Sequence, residues 1–450
     1  MRMYRDNKQF YKSLFAVALP IMAQNLLTSS VSFLDTLMIG QLGAKEIAAV
    51  GVANQIFFLV NLFIFGITSS ASIFLARYYG AKEYKKMQKV IALGLCIAVS
   101  TSFLWTMLSL FLPDKIMLLF TNDPDIIAFG VEYQLIVAVS YMFVAITFIY
   151  SAGFRSINNA RMPLYTSIIS ILLNALGNYI LIFGIGPFPT LGVKGAAIAT
   201  LIARFIEMVL LIYLTKRNKA IFAIKDKSSF YFEKDFIVSY IKISLPVIIN
   251  EMIWALGVSL YKVAYSDLGT DTLASINISE SISNFFFVAS SGFGNAATIV
   301  LGQIIGRGED KEAIFYGKKS LILALLTGAV MGVLLFLLSP FFTSLFNVNE
   351  NIIRITILTM YVNAFCQPIK SFNMMLLVGV LRAGGDTLFV LITEIFAVWG
   401  VGVSAAFIGA SWLGLPIYIV YALVALEEVV KSVIAFVRFR KNNWIKRLSE

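Results

Sequence analysis

The chain has 450 residues, 59% of them apolar and 14% charged, and a mean hydropathy of +0.84. Soluble proteins hold about 45–50% apolar and about 25% charged residues, and a water-exposed surface must be covered by polar groups, so a soluble enzyme, a disordered chain and a disulfide scaffold are excluded in favour of an all-α integral membrane protein. Net charge is +11, from 36 Lys and Arg against 25 Asp and Glu; histidine is absent, and the two cysteines, Cys96 and Cys366, sit in apolar stretches.

Without histidine there are no imidazole proton relays, no histidine metal sites and no Ser-His-Asp catalysis, so proton chemistry falls to carboxylates. The basic residues come in short runs between apolar blocks, which marks cytoplasmic loops and not a nucleic-acid surface. No phosphate-binding Gly-x-x-x-x-Gly-Lys-Ser/Thr motif occurs, so no nucleotide is expected to drive the chain directly.

About twelve spans are predicted, at 14–39, 47–76, 89–112, 128–151, 163–185, 193–215, 238–265, 273–302, 318–345, 353–379, 387–410 and 414–437. Each is long enough to cross a bilayer with some tilt, and continuous apolar runs exclude a β-barrel. The first follows Arg2, Arg5, Lys8 and Lys12 but is too long for a signal-peptide core and lacks a small-residue cleavage site. With both termini inside, 28 Lys and Arg fall on the inner side, four (Lys45, Lys115, Lys194, Arg354) on the outer side, and four (Arg204, Lys262, Lys370, Lys431) within spans. That asymmetry predicts a multi-pass protein of the cell inner (plasma) membrane with both termini cytoplasmic.

An ionisable side chain at mid-bilayer costs at least about 2.5–3.5 kcal/mol, so each is a functional candidate. In the first span, Asp35 lies about one turn inside the outer end, and its helix neighbours Val31, Leu34, Met38 and Ile39 offer no cation. Its partner must come from another helix or be a transported ion. On the second span, Gln55 is a candidate for substrate recognition. On the fifth, Asn174 and Asn178 are four apart and share a face; their amide oxygens suit a hard cation such as sodium. On the seventh, Glu251 follows Pro246, whose missing N–H opens room for a polar group; Trp254, a turn on, offers a ring face to an organic cation. Glu280 lies near the outer end of the eighth span and can line a cavity. Lys370, after Pro368 in the tenth, must pair or lose its proton, and an ion pair with Glu251 would make a breakable lock. Glu427 and Glu428 can pair with Lys431 one turn on. Pro20, Pro163, Pro246 and Pro368 are candidate hinges.

The longest polar stretch, 216–235, reads as a cytoplasmic linker between a six-helix lobe at 1–215 and another at 236–450. Residues 18–80 align without a gap on 244–306, with 12 of 63 positions identical, Leu19-Pro20 meeting Leu245-Pro246 and Gly66 meeting Gly292. Six spans per lobe give parallel, pseudo-symmetric bundles, a transporter architecture with its substrate site between repeats.

The segments Ala18-Leu19-Pro20, Phe33-Leu34-Asp35-Thr36-Leu37-Met38-Ile39-Gly40, Asn174 with Asn178-Tyr179-Ile180-Leu181, Gly195-Ala196-Ala197-Ile198-Ala199-Thr200 and Leu381-Arg382-Ala383-Gly384-Gly385-Asp386-Thr387 together resemble the multidrug and toxic compound extrusion (MATE) family over essentially the whole chain. The resemblance implies a monomeric twelve-helix antiporter, not an enzyme, that needs no cofactor and exports organic, mostly cationic compounds in exchange for protons or sodium ions by alternating access. It also implies an ion-coupling role for Asp35 and a cation set of Asp35, Asn174, Asn178 and Thr200, with Asn178 departing from an Asp found in some members. A glutamate on the seventh span, near Glu251 but closer to Trp254, is implied by another branch. A lipid-linked precursor flippase of related architecture is the alternative and would show a larger basic cavity. A channel or a membrane enzyme is less consistent with these residues.

Overall fold

The computed structural model describes residues 7–346 and 348–447, apart from the side chains of Ser32 and Phe33. Arg2 and Arg5 of the expected basic N-terminal run, and the Phe33 side chain of the first-span motif, therefore lie outside the described residues. Among the described residues the fold is entirely helical. The first half holds α1 (Asn7–Gly40), α2 (Ala44–Gly80), α3 (Tyr84–Phe111), the short α4 (Pro113–Leu118), α5 (Pro124–Val137), α6 (Ser140–Ser156), α7 (Arg161–Phe183) and α8 (Gly192–Arg217). The second holds α9 (Lys234–Ser266), α10 (Thr270–Gly306), α11 (Asp310–Ser344) and α12 (Glu350–Asn373), the last prolonged by π-helical turns over Met374–Leu381. It continues with α13 (Thr387–Glu394), prolonged by π-helical turns and α14 (Ser404–Phe407) as far as Trp412, and ends with α15 (Ile417–Val424) and α16 (Leu426–Arg440).

Ten of these rods are long and apolar enough to cross a membrane, and eleven when α5 and α6 count as one broken span. The twelfth expected span divides at Ala425 into α15 and α16, and Glu427, Glu428 and Lys431 sit in its middle. The fourth expected span, 128–151, is broken: α5 and α6 meet at an angle of 47°. No proline causes this bend. Thr106 Oγ1 donates to the Ala138 carbonyl at 2.8 Å, Ser140 Oγ donates to the Val137 carbonyl at 2.6 Å, and Arg204 Nη1 donates to Ser140 Oγ at 2.7 Å. Side chains thus take up main-chain carbonyls at the break, a recognised cause of a kink.

The helices group into two compact units, Ala23–Lys234 and the described residues up to Met22 together with those from Asp235 onward. The stretch 7–22, written above with the N-terminal lobe, packs in the second unit through aromatic contacts. Phe10 stacks on Tyr316 with ring centroids 4.3 Å apart, and Phe15 meets Phe293 edge-on at 5.2 Å. Of the candidate hinges, Pro20, Pro246 and Pro368 lie inside helices. Pro163 does not: it occupies the first turn of α7, where a missing N–H costs no hydrogen bond, so it is a helix starter and not a hinge.

The sequence repeat recurs in contacts. Lys45 pairs with Asp125, and 226 residues on Asn351 Nδ2 donates to Asp271 Oδ2 at 3.3 Å, with the acid now on the other helix. Arg155 reaches Gln24 across 131 residues, and Arg382 reaches Glu251 across the same interval. In both cases an arginine near the end of one span engages the side chain four or five residues after a proline that lies inside another helix.

Candidate functional site

In the unit Ala23–Lys234, α7 carries Ser167, Ser170, Asn174 and Asn178 at helical spacing, and all four are buried. They form one polar stripe on an otherwise apolar helix. The facing stripe on α8 is Thr200, Arg204 and Glu207. These helices approach closely because Gly195 has no side chain: a Cβ there would lie 2.5 Å from the Leu181 carbonyl oxygen. Buried polar groups need partners, and most of those partners are within these two stripes. Ser170 Oγ donates to the Ala203 carbonyl at 3.0 Å, and Ser167 Oγ donates to Glu207 Oε1 at 2.6 Å. Gln24 Nε2 donates to Ser167 Oγ at 2.7 Å, while Arg155 Nη2 donates to Gln24 Oε1 at 2.6 Å.

At the Asn178 end of the stripe, α1 brings in Asp35. Asn178 Nδ2 donates to Asp35 Oδ1 at 2.6 Å. The Asn174 amide satisfies both its ends when its nitrogen faces Asp35, at 3.0 and 3.2 Å from the two carboxylate oxygens, and its oxygen accepts from Thr200 Oγ1 at 3.2 Å. All four residues of the expected cation set therefore converge, with Asp35 as the single carboxylate. The expectation that the partner of Asp35 comes from another helix is met by two neutral amides. Asn178 Oδ1 is buried with no hydrogen-bond partner. Arg204 and Tyr133 also stand close: Tyr133 lies against Thr200, and both Asp35 and Arg204 act on it electrostatically. The Arg204 guanidinium stacks over Phe57 at 3.9 Å from the ring centre.

The other candidates, apart from Gln55, lie in the second unit. Glu251 does not pair with Lys370, which corrects the lock expected above. Arg382 Nη2 donates to Glu251 Oε1 at 2.7 Å, and the two side chains are 3% and 14% exposed respectively. The reason is distance along one rod: Lys370 and Arg382 are twelve residues apart, about 18 Å at 1.5 Å per residue, so a single carboxylate meets only one of them. Lys370 Nζ instead donates to Asn363 Oδ1 at 2.7 Å and to the Tyr421 hydroxyl at 3.3 Å, over whose ring it also sits. Glu280 pairs with Lys262 at 2.8 Å in a half-exposed ion pair, worth little to stability. Gln55 is exposed on α2, and Trp254 is 40% exposed on α9.

A further polar core was only partly legible. Lys431 is 4% exposed and contacts Glu394 at 2.9 Å, Glu427 at 3.6 Å and Glu428 at 3.7 Å. The Tyr261 hydroxyl donates to Glu427, and Asn373 Nδ2 donates to Glu428 Oε2 at 2.6 Å. The i,i+3 and i,i+4 spacing gave two of these ion pairs, whereas Glu394 and Tyr261 come from other helices and left no local signal. Arg204, already placed within a span by the sequence, and Glu207 lie four and seven residues on from Thr200, a spacing that puts all three on one helix face. Tyr133, on α5, left no such signal. Among the described residues no group of three or more His, Cys, Asp or Glu could hold a metal ion.

The MatE family model matches residues 20–180 and again 246–408, starting 226 residues apart like the internal repeat. An uncharacterized transporter of Bacillus subtilis, YisQ, is 26% identical over 97% of this chain and 95% of its own. A probable multidrug resistance protein NorM of Thermotoga maritima is 24% identical over 97% of this chain and 93% of its own. Among solved structures, the outward-facing conformation of a multidrug resistance MATE transporter of the MOP superfamily superposes with a TM-score of 0.89 at 18% identity, covering 97% of this chain and 96% of that one. The bent form of the Vibrio cholerae MATE transporter VcmN gives 0.87 at 18% identity, covering 98% and 99%. A family match over both repeats, on an all-helical chain whose two units share their internal contacts, has one reading: the chain belongs to the MATE family of multidrug efflux transporters.

Proposed function

We propose that the protein is a secondary antiporter that exports small organic, mostly cationic compounds in exchange for protons or sodium ions by alternating access. In this reading it works as a monomer in the cell inner membrane with both termini cytoplasmic, an orientation supported by the 28-to-4 partition of basic residues.

The observation that carries the proposal is the setting of Asp35: one carboxylate held by the amides of Asn174 and Asn178, beside a buried carbonyl, Asn178 Oδ1, that has no donor. A charged carboxylate accepts the amide hydrogens as found. A protonated one must donate, and Asn178 Oδ1 is an acceptor one amide rotation away. A sodium ion would meet only hard oxygen donors here, from Asp35, Asn174, Asn178 and Thr200, which suits its chemistry. Either ion cancels the negative charge of Asp35. A ligand shifts a conformational equilibrium only through its unequal affinity for the two states, so an ion that neutralises Asp35 in one state more readily than in the other couples its own gradient to the export of cargo.

The flippase alternative is not favoured. Among the described residues the interior cations Arg155, Arg204, Arg382, Lys370 and Lys431 are each engaged by an amide, a hydroxyl or a carboxylate, so their charge is already committed within the protein.

The test is efflux of a fluorescent organic cation from proteoliposomes under separately imposed pH and sodium gradients, with wild type and Asp35→Asn. Wild type should export uphill under one of the two gradients, and Asp35→Asn should lose that response. Gradient-driven export by Asp35→Asn at the wild-type rate would remove the assignment.

A further inference from the structure

We propose that the second unit carries a binding site for an anionic phospholipid of the surrounding bilayer, in a groove formed by α11, α12 and α16. The groove has a volume of about 760 Å³, within the range of about 300–1,000 Å³ in which proteins hold small molecules. Its floor on α11 is Leu321, Ile322 and Leu325, and on the facing side Phe372, Val433 and Phe436. Ile322 is 58% exposed and Val433 59%, so the groove is an open apolar channel and not a sealed core.

The charge lies at one end. On α11 the stripe Lys318, Leu321, Ile322, Leu325 keeps the i, i+3, i+4, i+7 spacing of a single helix face. On α16, Val433, Phe436 and Arg440 follow i, i+3, i+7. The first stripe opens with its cation and the second closes with one, and both cations line the same groove, with Asn442 beside them. The apolar run beyond Lys318 extends about 10 Å at 1.5 Å per residue. No acidic side chain lines the groove; the nearby Glu428 is engaged by Asn373 and Lys431. Lys319 adds positive charge close by, over the Phe315 ring at 4.9 Å.

An apolar channel with two guanidinium or ammonium groups at its mouth complements one occupant: a lipid whose acyl chain follows the channel and whose phosphate, carrying net negative charge, rests between Lys318 and Arg440. A basic pocket between membrane helices is a recognised form of headgroup site. Phosphatidylcholine offers the same chain and phosphate, but its choline brings a cation toward two others and should be discriminated against.

Native mass spectrometry of the full-length protein released from bilayers of equal phosphatidylglycerol and phosphatidylcholine tests this. Each basic residue near a membrane surface favours anionic lipid by about fivefold. Wild type should therefore retain phosphatidylglycerol over phosphatidylcholine by about tenfold or more. Lys318→Gln with Arg440→Gln should bring the ratio below about twofold, and Val433→Trp, which fills the channel and keeps both cations, should lower retention of both lipids. Both cation sites are exposed, so the double variant keeps its core. Unchanged phosphatidylglycerol retention in the double variant, or equal retention of the two lipids by wild type, overturns the proposal.

Discussion

The side chains that hydrogen-bond to Asp35 are neutral. Asn174 and Asn178 are amides, and a hydrogen bond to a charged group contributes about 1.5–3 kcal/mol. Asp35→Asn keeps the shape and replaces the charge, so the variant should fold with a thermal midpoint near that of wild type and lose gradient-driven efflux by at least tenfold. A large drop in its midpoint would instead make Asp35 a structural residue. Glu251 and Arg382 pose the opposite case. Their ion pair is buried, and breaking such a pair costs about 3–5 kcal/mol because it strands a charge. Arg382→Ala should therefore lower the thermal midpoint strongly, and Glu251→Leu combined with Arg382→Met should recover most of the loss. If the double variant is no better than the single one, the penalty comes from lost packing and not from a stranded charge.

Among the elements, α7 and α8 are the pair on which the site depends. Their closeness rests on Gly195, where any Cβ would press on the Leu181 carbonyl. Overpacking of this kind costs about 1–3 kcal/mol. Gly195→Val should separate Thr200 from Asn174 and reduce efflux by tenfold or more, with insertion into the membrane intact; efflux in proteoliposomes at matched protein content checks this, and wild-type rates would show that the closeness is dispensable. The same pair marks the limit of what sequence could reveal. The apolar runs located the rods, and the four-residue spacing of Asn174 and Asn178 placed both on one face, because helix periodicity is a local property. The bend between α5 and α6 was invisible, since its causes, Thr106 and Arg204, come from other helices. The partner of Glu251 was misjudged for a similar reason: proximity in the membrane interior was inferred from charge alone, whereas the length of α12 with its π-helical continuation keeps Lys370 a dozen residues from Arg382.

For the whole molecule, the distribution of basic residues fixes an expected topology that is open to a direct test. In a Cys96→Ser, Cys366→Ala background, Ser228→Cys should react with an impermeant maleimide only from the cytoplasmic side, and Asn122→Cys only from the opposite side. Reversed labelling would invert the orientation while leaving the fold untouched. The grouping of residues 7–22 with those from Asp235 onward has a consequence for synthesis. Phe10 leaves the ribosome about three hundred residues ahead of its stacking partner Tyr316. At about 5–20 residues per second, that aromatic face stays without its final neighbours for roughly 15–60 seconds. The opening segment must therefore wait in the membrane or on a chaperone until the last third of the polypeptide arrives, and a ribosome stalled before α11 would release a chain with its leading edge still unmatched.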